Sequence, residues 1–471
     1  MNLFKRMVIL FGLVLTLSVP VPVWVLAQTF TNDGTTLKQI IIFGRHSIRS
    51  STVNPTTLAQ YAVDPYPPFE VQPGCLTPNG TLAEGLLGAY YRDYLIYEGL
   101  LTGNAGTDAA HSYFRSNSIE RSWATATAFQ GALIPNSTPS VHSFPIGGPD
   151  PVFDPILANV AKVDANLAAT QVQEIFNSGA ALESAYSGEY SLIRSVLFDY
   201  PLGTQPPPPT PQNCGDTTPP TSCSDPTSQA ITLTASTTTL YTGGVINIGG
   251  LLSVNNAADP FVMQYADGFP LDQVAWGQLT LDQLSQQTRI INYEFNIEML
   301  SPYLNSVQSS NAASHVLRTM QQAVNGVNVP GAFGNAKSRA VVVISSDAYV
   351  AGLAGVLHLH WQLPGYQPDY CAPGGALVFE LRQSNSSKGY LVRAFYTAQT
   401  FDQLRNLTPL ALDEPPATIQ LLIPGGSTSA TDLDVSFAVF QKLLSNAINP
   451  NYVEDPSKEG PPNVLTGVTC Q

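Results

Sequence analysis

Ile40-Ile41-Ile42-Phe43-Gly44-Arg45-His46-Ser47-Ile48-Arg49 is an apolar run that stops abruptly at two arginines bracketing a histidine. A short unbroken run of β-branched and aromatic residues predicts a strand buried on both faces. In an open α/β sheet ligands bind beyond the carboxyl ends of such strands, so Arg45, His46 and Arg49 stand where a site is expected. Two guanidiniums this close repel each other unless an anion lies between them, and their planar donor forks suit phosphate oxygens. A neutral imidazole held among them can attack phosphorus and carry the phosphoryl group covalently. The competing reading is a plain strand end, with solvated arginines and a hydrogen-bonded histidine.

Working outward, residues 1–27 carry Lys5 and Arg6, an apolar segment from Met7 to Leu17, and Val25-Leu26-Ala27 ahead of Gln28. That is the pattern of a cleavable secretory signal, which predicts a periplasmic or secreted protein. No other stretch approaches the ~18 uninterrupted apolar residues of a membrane span, so no membrane is expected as partner. The 444 residues after the signal hold 18 basic and 34 acidic side chains, net −16. This balance argues against nucleic acid or an anionic membrane surface and makes any anion site a local concentration of arginine. Of the cysteines at 75, 214, 223, 371 and 470, Cys214 and Cys223 are near enough in a Pro-rich segment to predict a local disulfide. The pairing of Cys75, Cys371 and Cys470 stays open. Neither Cys-x-x-Cys nor His-x-x-x-His spacing occurs, and no metal is expected.

Asp64-Pro65-Tyr66-Pro67-Pro68 reads as a loop over the site, and Leu76-Thr77-Pro78-Asn79-Gly80 opens a helix running to about Leu101. Tyr113 to Ser122 predicts a short strand and a Ser-rich turn into a helix over Trp123 to Leu133, which sets backbone donors beside Arg121. Arg115 reads better as a salt-bridging residue near the sheet. From residue 151 to 310 apolar residues recur at helical spacing. Ala340-Val341-Val342-Val343-Ile344 then predicts a second strand, ending in Ser345-Ser346-Asp347, where a carboxylic acid could protonate a leaving alcohol. Between Arg49 and Arg92 there is no basic residue at all.

The first motif resembles the Arg-His-Gly-x-Arg signature of the histidine acid phosphatases, with Ser47 in place of the glycine. Leu76 to Gly80 is similar to that family's Leu-Thr-x-x-Gly element, and Arg115 to Ser122 to its Arg-x-x-x-x-x-Arg-(Thr/Ser) segment. Gln264 to Gly268 and Trp276-Gly277 resemble its stretch facing the cleft. Trp361 to Gly365, Pro373 to Glu380 and Thr408 to Leu410 also resemble the bacterial periplasmic phytases and glucose-1-phosphatases of the family. The family has His-Asp where this chain has Ser346-Asp347, and its histidine contacts the phosphate. The remaining histidines, at 111, 142, 315, 358 and 360, occupy no motif position.

The resemblance implies a phosphoglycerate-mutase-like α/β fold: a doubly wound, mostly parallel sheet domain over 28–150 and 311–471, with a mostly helical domain over 151–310 inserted as a lid. It implies phosphomonoester hydrolysis at acidic pH through a phosphohistidine, on sugar phosphates or related organic phosphates, phytate included. His46 is then the nucleophile and Asp347 the proton donor. Arg45, Arg49, Arg121 and Ser346 bind the phosphate of a small phosphorylated substrate, and no cofactor is required. Ser47 and Ser346 favour the alternative, a catalytically impaired phosphatase-like protein that binds phosphorylated ligands. The basic-free gap after Arg49 points to singly phosphorylated substrates over phytate.

Overall fold

The structure, a computed structural model, describes residues 33–138, 140–204, 213–215, 222–231, 234–235, 246–247, 249–299, 301–457 and 462–470. The expected signal over 1–27 and the proline run at 206–209 lie outside them.

Eleven strands occur among the described residues: β1 (Thr35–Arg45), β2 (Ser112–Ser116), β3 (Val141–Ser143), β4 (Thr234–Ala235), β5 (Ile246–Asn247), β6 (Ala340–Ser345), β7 (Ala376–Ser384), β8 (Tyr390–Ala398), β9 (Ala417–Gln420), β10 (Val435–Ser436) and β11 (Asn463–Val464). All but the β4–β5 ladder form one sheet in the order β10-β8-β7-β1-β6-β2-β3-β11, with β9 beside β8. The central strands β1, β6, β2 and β3 run parallel. Antiparallel strands extend the sheet on both sides.

The run Ile40 to Phe43 is unbroken in sequence because both faces of β1 are covered. Ile40 and Ile42 point into one buried cluster with Tyr90, Tyr94 and Phe129, from helices Pro78–Tyr97 and Glu120–Leu133. Ile41 and Phe43 point into the other, with Val316, Leu353 and Phe440 from helices Pro302–Asn325, Asp347–Val356 and Phe437–Ala447. Burying such side chains on both faces removes each from water, worth about 1.5–3 kcal/mol apiece. The sheet is doubly wound, as expected.

Residues 151–310 supply helices Ala165–Phe176, Gly179–Ala185, Ser187–Leu197, Gly249–Ala266 and Leu281–Met299. Their apolar side chains, Val172, Ile193, Val254, Phe261 and Ile290 among them, join the same cluster as Ile41 and Phe43. The boundary expected between 310 and 311 falls inside the continuous helix Pro302–Asn325, so a helix carries the chain back toward the sheet. Cys214 and Cys223 pair, as expected, and Cys75 pairs with Cys470, leaving Cys371 buried and free. Among the described residues no helix is long and apolar enough to cross a membrane.

Candidate active site

β1 and β6 are parallel neighbours, with Arg45 in register with Ser345, so the polar ends of both apolar runs meet at one edge. The His46 amide donates to the Ser345 carbonyl at 2.8 Å, and the Gly374 amide donates to the His46 carbonyl at 3.1 Å. These bonds fix the backbone on both sides of the imidazole. His46 Nδ1 lies 2.9 Å from the Ser47 carbonyl, which can only accept, so Nδ1 carries the proton. The ring therefore presents the Nε2 lone pair. Burial, then the charges of Arg121, Arg45 and Arg49, hold the imidazole well below the usual histidine range. The charged form is disfavoured, so the ring keeps its lone pair to lower pH than a free imidazole does.

The three arginines are held in different ways. Arg45, 1% exposed, donates from Nη1 to the Cys371 carbonyl at 2.5 Å and pairs through Nη2 with Asp347 at 3.0 Å. Arg49 makes a bidentate pair with Asp259, at 2.8 and 3.0 Å, and also donates to the Ser50 carbonyl. Arg121, in the first turn of Glu120–Leu133, donates to the Gly74 carbonyl at 3.2 Å. The repulsion expected between Arg45 and Arg49 is thus relieved by two aspartates from other parts of the chain. Arg115 instead pairs with buried Asp150 at 2.6 Å, in the salt-bridging role expected of it.

Ser346 precedes helix Asp347–Val356 at its N-cap position, yet its hydroxyl makes no capping bond. It is buried and finds no partner among the described residues. A buried hydroxyl left unpaired costs roughly 1–3 kcal/mol, a cost that an incoming anion would remove. Asp347, the first residue of that helix, accepts from the Ala348 amide and faces Arg45.

Two acidic residues here are not singled out by motif. Asp259 comes from inside helix Gly249–Ala266, next to Pro260. Its only sequence signal is a lone carboxylate in an apolar helical stretch. Glu84 is 1% exposed on helix Pro78–Tyr97, and burial pushes its carboxyl well up by disfavouring the charged form. A Cβ on Gly374 would lie 3.0 Å from Glu84 Oε2 and 3.6 Å from Ser47 Oγ, and Gly374 has φ +69°, so glycine is required there. Gly80 is constrained in the same way: a Cβ would strike the Ile48 carbonyl, which also accepts from the Thr77 amide. That packing docks the helix start onto the first motif.

Asp267 accepts from Thr77 Oγ1 at 2.6 Å, and burial, aided by the charge of Glu70, pushes its pKa up to about 6. A raised carboxyl binds its proton more tightly folded than unfolded, so its contribution to stability falls as pH rises from about 4 to about 6. Asp267→Asn, which keeps an acceptor for Thr77, should therefore melt higher than the parent at pH 7.5. The gap should close by pH 4, as read by thermal unfolding at both values.

No protein-family model matches the chain. It is 25% identical over 422 residues to phytase AppA of Escherichia coli (strain K12), covering 88% of this chain and 92% of that protein. It is 24% identical over 425 residues to the glucose-1-phosphatase of Providencia rettgeri, covering 90% and 94%. Among solved structures, the Hafnia alvei phytase in complex with tartrate superposes with a TM-score of 0.73 at 25% identity, over 90% of this chain and all of that one. The Citrobacter braakii phytase gives 0.75 at 21% identity over 89% of this chain and all of its own, which is a likeness of fold.

Proposed function

We infer that the chain, homologous to those phytases and glucose-1-phosphatases, is a histidine acid phosphatase that hydrolyses phosphomonoesters through a phosphohistidine. The observation that carries this is a buried, neutral histidine, its Nε2 lone pair presented, at a strand end where three arginines bear on it. His46 Nε2 attacks phosphorus, while Arg45, Arg49 and Arg121 hold the phosphoryl oxygens and their developing charge. Substrate phosphate competes with Asp347 for Arg45, and the freed carboxylate relays the proton of the monoanionic phosphate ester to the leaving alcohol oxygen as the P–O bond breaks. Water then attacks phosphorus, Asp347 takes the proton that the water loses, and the P–N bond breaks to release phosphate and neutral His46. No step calls for a metal or cofactor. The helices of 151–310 act as a unit whose Asp259 steadies Arg49, and export to the periplasm or medium follows from the signal pattern. Release of inorganic phosphate from p-nitrophenyl phosphate at several acid pH values tests the reading; absence of turnover would leave the anion-binding alternative.

That alternative draws on Ser346, whose side chain is short where the resembled family has histidine. One hydrogen bond to a charged group is worth ~1.5–3 kcal/mol, so the exchange weakens the site without emptying it. Ser346→Ala should raise the inhibition constant of inorganic phosphate about tenfold and leave the melting temperature unchanged or higher, because no protein partner is lost. A fall in melting temperature with unaltered phosphate inhibition would make the serine structural. The basic-free stretch from Ser50 to Tyr91 gives a further expectation. The specificity constant for glucose-1-phosphate should exceed that for phytate, whose other phosphates meet no cation there.

A further inference from the structure

Beside Arg49 lies a cavity of about 270 Å³ whose walls are six prolines together with Val53, Leu58, Tyr66, Phe69 and Val71. Three parts of its wall are chain neighbours of the residues that form or hold the arginine cluster. Ser50 and Ser51 follow Arg49, Pro260 follows the Asp259 that holds it, and Pro73 precedes the Gly74 whose carbonyl takes Arg121. We propose that the cavity receives the alcohol portion of the substrate, and that this portion is apolar and aromatic: the substrate class is a phosphomonoester of a hydrophobic alcohol carrying one ring. This rests on the phosphatase reading above and narrows it.

Among the described residues the lining has no charged side chain, and its four polar ones, Ser50, Ser51, Tyr66 and Gln264, each already hold a hydrogen bond. Ser50 Oγ donates to the Gln72 carbonyl at 2.5 Å, Ser51 Oγ accepts from the Val53 amide at 3.1 Å, and Gln264 Nε2 donates to the Pro67 carbonyl at 3.3 Å. Proline supplies no amide donor. A sugar or cyclitol placed here would leave hydroxyls without partners, and each desolvated, unpaired hydroxyl is penalised. An aromatic ring incurs no such penalty and gains the burial of its faces.

The cavity is also held open in advance. Tyr66 donates to the Ala257 carbonyl at 2.9 Å, stacks on Phe261 at 5.6 Å and meets the edge of Trp276 at 5.0 Å. Trp276 Nε1 donates to the Pro65 carbonyl, and the disulfide-closed loop binds the chain behind Leu58 through Gly215 to Ala62 and Ser224 to Gln60. Cavities of about 150 Å³ accept benzene, so this one takes a substituted single ring.

The test uses two esters of primary alcohols, so that leaving-group chemistry is matched: 2-phenylethyl phosphate and glucose-6-phosphate. Expected is a kcat/KM at least tenfold higher for the phenylethyl ester, and a smaller ratio overturns the proposal. Val53→Lys sets a charge in the cavity and should shift that ratio at least tenfold toward the sugar phosphate; an unshifted ratio also overturns it. Failure of p-nitrophenyl phosphate turnover would be failure of the phosphatase reading instead. Calorimetric titration of His46→Ala with the same two esters then decides the cavity by itself: tenfold tighter binding of the phenylethyl ester sustains it, and equal binding refutes it.

Discussion

His46→Ala is expected to lower kcat for any phosphomonoester by at least a thousandfold while the protein still folds. Covalent catalysis has no second route once its nucleophile is gone, and the losses seen on removing such a group run to several decades. The fold should survive because, among the described residues, the ring bonds only to the carbonyl of the next residue, and the backbone bonds at 46 do not depend on the side chain. Removal also deletes a buried group kept neutral against its preference in solution. A histidine whose folded pKa is depressed withdraws stability as pH falls below its unfolded value, since the unfolded chain then binds the extra proton. The variant should accordingly lose less stability than the parent on acidification below about pH 6. Steady-state kinetics with circular dichroism read both effects. Retention of more than about a hundredth of the parent rate in a folded variant would show that another group attacks phosphorus.

Asp347→Asn should cost at least a hundredfold in kcat on glucose-6-phosphate but less than tenfold on p-nitrophenyl phosphate. General acid catalysis typically contributes 10²–10⁴-fold, and it matters only when the departing oxygen needs a proton. A sugar alkoxide does, whereas p-nitrophenolate leaves unaided. The contrast separates proton donation from positioning of Arg45, because Asn retains an oxygen that Arg45 Nη2, now 3.0 Å from the carboxylate, can still reach. Equal losses on the two esters would assign Asp347 to holding Arg45 and require a different donor.

The chain's own pattern determined a good deal. Continuous apolar runs at 40–43 and 340–344 encode strands covered on both faces, and the structure places them side by side with their polar ends in register. Proximity in sequence was enough for Cys214 with Cys223. His46, Arg45 and Arg49 were legible as candidates because three residues within five positions stay near one another whatever the rest of the chain does.

Only the tertiary structure decided how those groups are held. Asp259 reaches Arg49 across 210 residues, Cys75 finds Cys470 across 395, and Glu84 comes up against Gly374 on a helix that approaches the first motif closely at Gly80. It likewise decided that Ser346 leaves its own helix uncapped with its hydroxyl unspent, and that a proline-rich loop becomes the wall of an apolar cavity. Hydrophobic burial is non-directional and roughly proportional to area, so it is written into the period of apolar residues. Ion pairs, disulfides and caps depend on distance and angle between groups that share no period, and those are fixed only when the packed elements have set where each backbone lies.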